Sequence, residues 1–352
     1  MLGLVLATYI LINLREVLVP FCFALIISIL LIPLVNKFIK MGINRIVAIV
    51  LAMLIALIIF SAIMYFLSSQ IAALASDIPL LKSKFQTLLT QFQHWVQITF
   101  GMSIEKQVGI LNNGIEKAKS YIGQTVGTAL GTIMTVILLP VYVFLLLFYK
   151  SLLVNFFYEV NSNKHSKNLS EILGETKIAV QSYMQGLLME AFIITVLYTS
   201  VLLFFGIKYA ILMALMGAII NMLPFIGGVL SIILPVVIAT ITKEGYSTQF
   251  WIIISYTIIQ FADNHYIIPM VVSSKVKINA LFSIIVVLLG GAIWGFGGMF
   301  LSIPFVGILK IVFDRIEEMK PWGKLLGNEV PSKYRKKKLL KTAIAEQIVE
   351  NK

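Results

Sequence analysis

Two stretches of this chain, residues 209–242 and 278–309, each run for more than thirty residues without an Asp, Glu, Lys or Arg. Each is broken near its middle by glycines and a proline. The first reads Leu223-Pro224-Phe225-Ile226-Gly227-Gly228 and then Leu234-Pro235. The second reads Gly290-Gly291, Gly295-Phe296-Gly297-Gly298 and then Ile303-Pro304. A straight helix of about 34 residues would be roughly 51 Å long. A helix tilted by about 40° crosses a hydrocarbon core of about 30 Å in only about 39 Å. Either the ends overhang, or the chain folds back at the glycines. Irregular backbone at membrane depth is tolerated only where protein buries it or where it lines a wet cavity. Paired broken apolar segments are also the sequence mark of a solute site inside a membrane protein.

The rest of the chain fits a bilayer. Of its 352 residues, 59% are hydrophobic and 12% charged, with a mean hydropathy of +0.96, against about 25% charged in a soluble protein. Besides the broken segments, uncharged apolar runs mark spans at residues 1–14, 17–35, 46–67, 121–149, 187–206 and about 246–269. Residues 1–14 lack a basic leader and run into Arg15-Glu16, so they read as a short first span, not as a removable signal. Lys37, Lys40 and Arg45, together with the basic tail, set the inside face. The chain then divides into N-terminal membrane helices (1–67), an extracytoplasmic helical segment (68–120) and a membrane helix (121–149). Cytoplasmic amphipathic helices (150–186), a transport core (187–312) and a basic cytoplasmic tail (313–352) follow.

The expected fold is all-α, a polytopic membrane protein with about eight membrane segments. The two Gly/Pro-broken segments read as re-entrant hairpins, the first entering from outside and the second from inside. That puts Lys275 and Lys277 on the cytoplasmic side; two simple crossings would put them outside. The run Gly227-Gly228-Val229-Leu230-Ser231-Ile232 resembles Gly297-Gly298-Met299-Phe300-Leu301-Ser302-Ile303, one residue out of step. An inverted repeat and coincidence in low-diversity apolar sequence both account for it. In the outer segment, apolar residues from Ile78 to Val96 follow a helical period that Gly101 ends. Ser103 suits the cap of a second helix with Ile104, Val108, Leu111, Ile115 and Ile122 on its apolar side. This segment packs on itself or on the bilayer, or else serves as an oligomer contact or lid. The inner segment carries a polar turn at 161–168.

Asp263 is the most informative ionisable residue. Helical spacing puts Tyr256, Gln260, Asp263 and Ile267 on one face, with Asn264 beside them. A carboxyl group in apolar surroundings holds a proton more readily than one in water. Asp263 is therefore a candidate coupling group; the competing reading has Asp263-Asn264-His265 anchoring a helix end at the interface. His265 is either a relay or a solvated side chain. Glu190, one turn into the fifth span, is a second proton or cation ligand or an interhelical hydrogen-bonding group. Asn221, Pro224, Gly227 and Gly228 form a break whose freed carbonyls and exposed backbone suit an ion or a small polar solute. Gly297, Gly298, Ser302 and Pro304 form its counterpart in the second segment. Ser231 and Ser302 are further ligands, unless each bonds its own helix backbone.

Other chemistries lack support. The one cysteine, Cys22, excludes an internal disulfide and a cysteine-based metal site. His94, His165 and His265 are far apart, and no HExxH, GxSxG or P-loop pattern is present. No enzyme activity, metal or organic cofactor is expected; the coupling ion would be H+ or Na+. The basic cluster Lys333, Arg335, Lys336, Lys337, Lys338 and Lys341 reads as a solvated tail near anionic lipid, not as a nucleic-acid contact.

From the block at 223–228 onward the chain resembles the autoinducer-2 exporter family of bacterial multi-pass membrane transporters. Gln260-x-x-Asp263-Asn264 followed by Pro269, Gly290-Gly291, Gly295-Phe296-Gly297-Gly298-Met299, Ile303-Pro304 and Ile308-Leu309-Lys310 continue the resemblance. The opening Pro20-Phe21-Cys22-Phe23-Ala24-Leu25 and Pro33-Leu34-Val35 match the family's start, so the likeness runs from about residue 10 to about residue 328. Gly228 departs from it, since many members carry proline there, and the tail from Lys333 lies outside it. The resemblance implies an exporter of small molecules in the bacterial inner membrane, with some relatives acting as sodium (lithium)/proton antiporters and with a homo-oligomer, a pentamer, as the assembly. The resulting expectation is a secondary transporter that exports a small polar metabolite or an autoinducer-2-like signal on a proton or sodium gradient. A monovalent cation/proton antiporter is the runner-up. A membrane scaffold or partner-binding subunit is the reading from another class.

Overall fold

The structure, a computed structural model, describes residues 2–109, 112–113, 116, 129–160, 166–224, 226–272 and 278–328. The described residues are helical almost throughout, the only β pairing among them being a bridge between Ile278 and Gly327. Twelve α-helices are labelled in order: α1 Leu2–Asn13, α2 Arg15–Lys40, α3 Arg45–Phe100, α4 Ala129–Phe148, α5 Lys150–Val160 and α6 Ser166–Phe204. They continue with α7 Ala210–Asn221, α8 Gly227–Thr242, α9 Ser247–Ala262, α10 Ile268–Val271, α11 Ala280–Arg315 and α12 Lys320–Leu326. By length and composition alone, 4 helices among the described residues can cross a membrane, α11 counted as one despite its break at Gly295, or 5 if the pair bent by 60° at Tyr149 is one span. Their apolar surfaces stay exposed, as on Ile58 (65%) and Phe60 (58%) of α3, which is what a lipid-facing helix presents.

Long helices override some boundaries suggested by charge. The side chain of Asn44 caps α3 by accepting from the Ile46 amide at 3.0 Å, and Gly101 ends it in the left-handed region at φ 66. Between these caps α3 runs without a break through residue 68, so the third span and the outer stripe are one helix. α6 likewise runs through residue 186, and α11 through residue 312. Lys, Gln and Glu are good helix formers. A charged residue therefore marks where a helix leaves the apolar layer, not where it ends. Glu190 consequently lies deep within α6, not in the first turn of a helix. The expected helix carrying Leu111, Ile115 and Ile122, the first part of the 121–149 span, most of the 161–168 turn, Lys275, Lys277 and the basic tail lie wholly or mainly outside the described residues.

Both broken segments are antiparallel helical hairpins. In the first, α7 and α8 are joined by the turn at 222–226. A Cβ on Gly217 would sit 3.4 Å from Ser231, and one on Gly227 would sit 2.7 Å from the Asn221 Cα. These pairings centre on Pro224. In the second, α11 is broken at Gly295, whose φ 62 and ψ −142 are open to glycine alone at little cost. Gly290 lies against Gly298 and Gly291 against Met299, so the arms fold onto each other about that point.

The mouths of the hairpins lie at opposite ends of the bundle. The first opens beside the C-terminal end of α6, where Lys243 lies near Gly206. There Tyr209, at φ 62, donates its hydroxyl to the Ala73 carbonyl at 3.0 Å, and Lys208 pairs with Asp77, which ties the mouth to α3. The second opens at the N-terminal end of α6, where Arg315 pairs with Glu171 and Glu175. At that mouth Asn279 donates to the Leu325 carbonyl at 2.7 Å, and Lys310 lies against Gly327. α6 serves both: Ile194, Tyr198 and Leu202 pack on the first hairpin and α9, whereas Val180, Tyr183 and Leu187 pack with α2 and the second hairpin. The look-alike runs at 227–232 and 297–303 occupy equivalent places, each on the second arm just past its turn.

Candidate functional site

The turn of the first hairpin carries a buried polar cluster. Asn221 is the last residue of α7 and is 8% exposed. Its amide donates to Asp263 Oδ2 at 2.9 Å and reaches Glu190 Oε1 at 3.5 Å. Asp263 is fully buried at 0% exposure, and Glu190 is 3% exposed. Asp263 begins a π-helical turn, Asp263–Ile267, that interrupts the regular winding after α9. Such turns occur often at functional sites, because the wider winding re-aims side chains. Glu190 sits on α6 between the stretch that serves the first hairpin and the stretch that serves the second.

Gln260 extends the cluster along the same face of α9. Its amide nitrogen lies 3.5 Å from Asp263 Oδ2 and 3.4 Å from Asn264 Oδ1, and its oxygen accepts from the Tyr198 hydroxyl at 3.4 Å. Tyr198 also shares a hydrogen bond of 3.1 Å with Ser231, whose hydroxyl donates to the Gly228 carbonyl at 2.8 Å. The Tyr198 and Tyr256 rings stack with centroids 3.9 Å apart and planes 12° apart. The chain of polar groups thus runs from Glu190 through Asn221, Asp263, Gln260 and Tyr198 to Ser231.

The hydrogen bonding is incomplete in an informative way. Asp263 Oδ1, Asn221 Oδ1 and the Tyr256 hydroxyl are buried with no hydrogen-bond partner among the described residues, as are both ends of the Gln249 amide. Buried polar atoms normally have partners, and a native exception calls for an explanation. Two carboxyl groups flanking one amide in a dry setting favour a proton or a monovalent cation in their company. The free oxygens of Asp263 and Asn221 are acceptors, so they suit that ion or the hydroxyls of a polar solute. Among the described residues no group of three or more His, Cys, Asp or Glu could hold a metal ion.

The expected site residues divide in two. Asp263, Asn264, Gln260, Glu190, Asn221 and Ser231 come together, and Gly228 faces the Gln260 amide closely enough that a Cβ there would overlap it. Gly227 presses on Asn221, and the Pro224 carbonyl closes the turn by accepting from the Ile226 amide at 2.9 Å. Gly297, Gly298, Ser302 and Pro304 belong to the second hairpin instead. Ser302 donates to its own helix backbone, the Gly298 carbonyl, at 2.6 Å, and Gly297 packs on Val19 and Phe23 of α2. Met222, in the turn of the first hairpin, packs against the buried cluster that joins α2, α6 and Leu301 of the second hairpin. His265 is exposed and stacks on Phe261 at 4.1 Å, turned away from the carboxyl pair. Tyr198 did not stand out in the sequence, yet its spacing carried the signal, since it lies two helical turns beyond Glu190.

The family model described as AI-2E family transporter matches residues 1–318. The chain belongs to that family. Its long apolar helices accordingly fit an all-α, multi-pass membrane protein. Three relatives place it further. YrrI of Bacillus subtilis is 24% identical over 155 residues, which is 44% of this chain and 43% of YrrI. PerM of Escherichia coli is 25% identical over 177 residues, 50% of each chain. The chain thus matches about half the length of these two. The AI-2 transport protein TqsA of Escherichia coli is 22% identical over 305 residues, 85% of this chain and 86% of TqsA. In this AI-2E family member, the family match includes both hairpins and the whole Asp263 cluster.

Proposed function

We propose that this AI-2E family protein is a secondary active exporter of a small polar metabolite or signalling molecule, autoinducer-2-like in chemistry, driven by a proton or sodium gradient. One observation carries the reading: a fully buried aspartate bonded to an asparagine at a helix-hairpin turn, with a second buried carboxyl on the other side of that asparagine. Asp263 and Glu190 take the ion, Asn221 couples them to the turn, and Gln260, Tyr198 and Ser231 offer hydrogen bonds to hydroxyls. The name of TqsA supports a polar signal as cargo. A monovalent cation/proton antiporter is the second reading, favoured by the purely oxygen character of the free acceptors.

Both readings use hairpins that are re-entrant from opposite faces of the bacterial inner membrane, with the C-terminus in the cytoplasm. The opposite mouths support this arrangement, since each hairpin returns to the end of the bundle at which it started. A homo-oligomer, a pentamer by family resemblance, has a candidate contact in the exposed Phe92, Trp95 and Phe100 at the far end of α3. Comparing effluxed metabolites from cells with and without the protein tests the exporter. Sodium-dependent collapse of a pH gradient in proteoliposomes, without organic solute, identifies the antiporter instead.

The topology has its own test. Cys22 is buried, so a single introduced cysteine reports with low background. Lys243→Cys is expected to react with an impermeant maleimide only from outside, and Lys324→Cys only after the inner face is opened. Reaction of both from the same face overturns the arrangement.

A further inference from the structure

The inner end of α2 faces a cleft that the transport site does not use. It has a volume of about 200 Å³ and is lined by Asn36, Arg45, Lys150 and Ser151 against the apolar walls of Ile39 and Leu147. Arg45 donates through one nitrogen to the Leu147 and Phe148 carbonyls, at 3.1 and 2.8 Å, and so closes the end of α4. The other guanidinium donors remain available. Lys177 of α6 adds its positive charge to that of Arg45 around Lys150. None of these three cations forms a salt bridge with a described acidic residue. A cleft lined by cations of one sign raises the local concentration of anions.

The helix beside the cleft says where that anion comes from. α5 turns 60° away from α4 at Tyr149 and has no buried residue. It exposes Leu152 (63%), Phe156 (56%) and Val160 (69%) just beyond Lys150. A short helix with a bare apolar and aromatic side, running off across the end of a membrane span, lies in the headgroup layer. Lys37 and Lys40 at the end of α2 fit the cytoplasmic side, where anionic lipids gather.

We propose that this cleft binds the phosphate of an anionic phospholipid, with Arg45 and Lys150 at the charge, Lys177 adding to the positive field there, and the acyl chains alongside α5. The site holds a phosphate ester and its glycerol carbons, and the rest of the lipid stays in the bilayer. Asn36 and Ser151 supply neutral hydrogen bonds, which suits a glycerol headgroup. The bound lipid fixes the angle between α4 and α5.

The test equilibrates the detergent-purified protein with an equal mixture of phosphatidylglycerol and phosphatidylethanolamine and measures retained lipid by native mass spectrometry. Wild type is expected to retain phosphatidylglycerol preferentially. Lys150→Gln with Lys177→Gln lowers that preference by about 10- to 30-fold, whereas Lys150→Arg with Lys177→Arg keeps it. Both pairs are checked for unchanged gel-filtration behaviour, and Arg45 is left alone because it caps α4. Equal retention of both lipids by wild type, or an unchanged preference in the glutamine pair, overturns the proposal. So does protection of Lys150 from acylation by inorganic phosphate without any lipid preference, which would assign the cleft to a free anion.

Discussion

Asp263→Asn is expected to abolish gradient-driven transport while leaving the protein folded. Asparagine has nearly the shape of aspartate and still accepts a hydrogen bond from Asn221, so packing around this fully buried residue is kept. What disappears is the group that binds and releases a proton or a cation. The interaction of a buried charge with its ion and its hydrogen-bond donor is worth about 3 kcal/mol, or about 100-fold in rate. Transport driven by an imposed pH or sodium gradient in proteoliposomes should therefore fall at least that far. Glu190→Gln should cost less, about 10-fold, because Glu190 meets Asn221 only at 3.5 Å. Unchanged transport with unchanged ion dependence in Asp263→Asn removes Asp263 from the mechanism.

The second large effect is structural. Gly227→Ala adds one methyl group where the backbone of the first hairpin crosses itself: the new Cβ would lie 2.7 Å from the Asn221 Cα. Backbone atoms on both sides cannot rotate away, so the hairpin must open. Overpacking of this kind costs about 3 kcal/mol, which in a chain of 352 residues corresponds to a fall of about 4 °C in the apparent melting temperature. Because Asn221 sits at the same crossing, transport should fail together with stability. Gly174→Ala is the control, since nothing lies within 4 Å of a Cβ there. In an exposed part of α6 it should be neutral or slightly stabilising. Equal melting temperatures for Gly227→Ala and wild type would contradict the close crossing.

The fold-back of both segments was legible in the sequence because two signals agree: runs too long for one crossing and glycines at mid-run. The polar face of α9 was legible because Tyr256, Gln260 and Asp263 follow the helical period. Helix ends were not, since lysine and glutamine continue α3 and α6 beyond the apolar layer. The partition of the site was also hidden. Ser231 and Ser302 look alike in sequence, yet Ser231 meets Tyr198 while Ser302 bonds its own backbone. What separates them is which stretch of α6 each hairpin packs against, a tertiary property with no local signature. The partnership of Glu190 with Asn221 was hidden for the same reason: the two lie on different helices, and only the fold sets them side by side.

Chemical modification of Asp263 tests the central claim most directly. Treating proteoliposomes with an apolar carbodiimide and reading the modified peptide by mass spectrometry reports on the buried carboxyl itself. Transport should decline in step with modification at Asp263, and sodium or the exported solute should protect both the residue and the activity. Full transport by protein modified at Asp263, with no protection by ion or solute, would contradict the account.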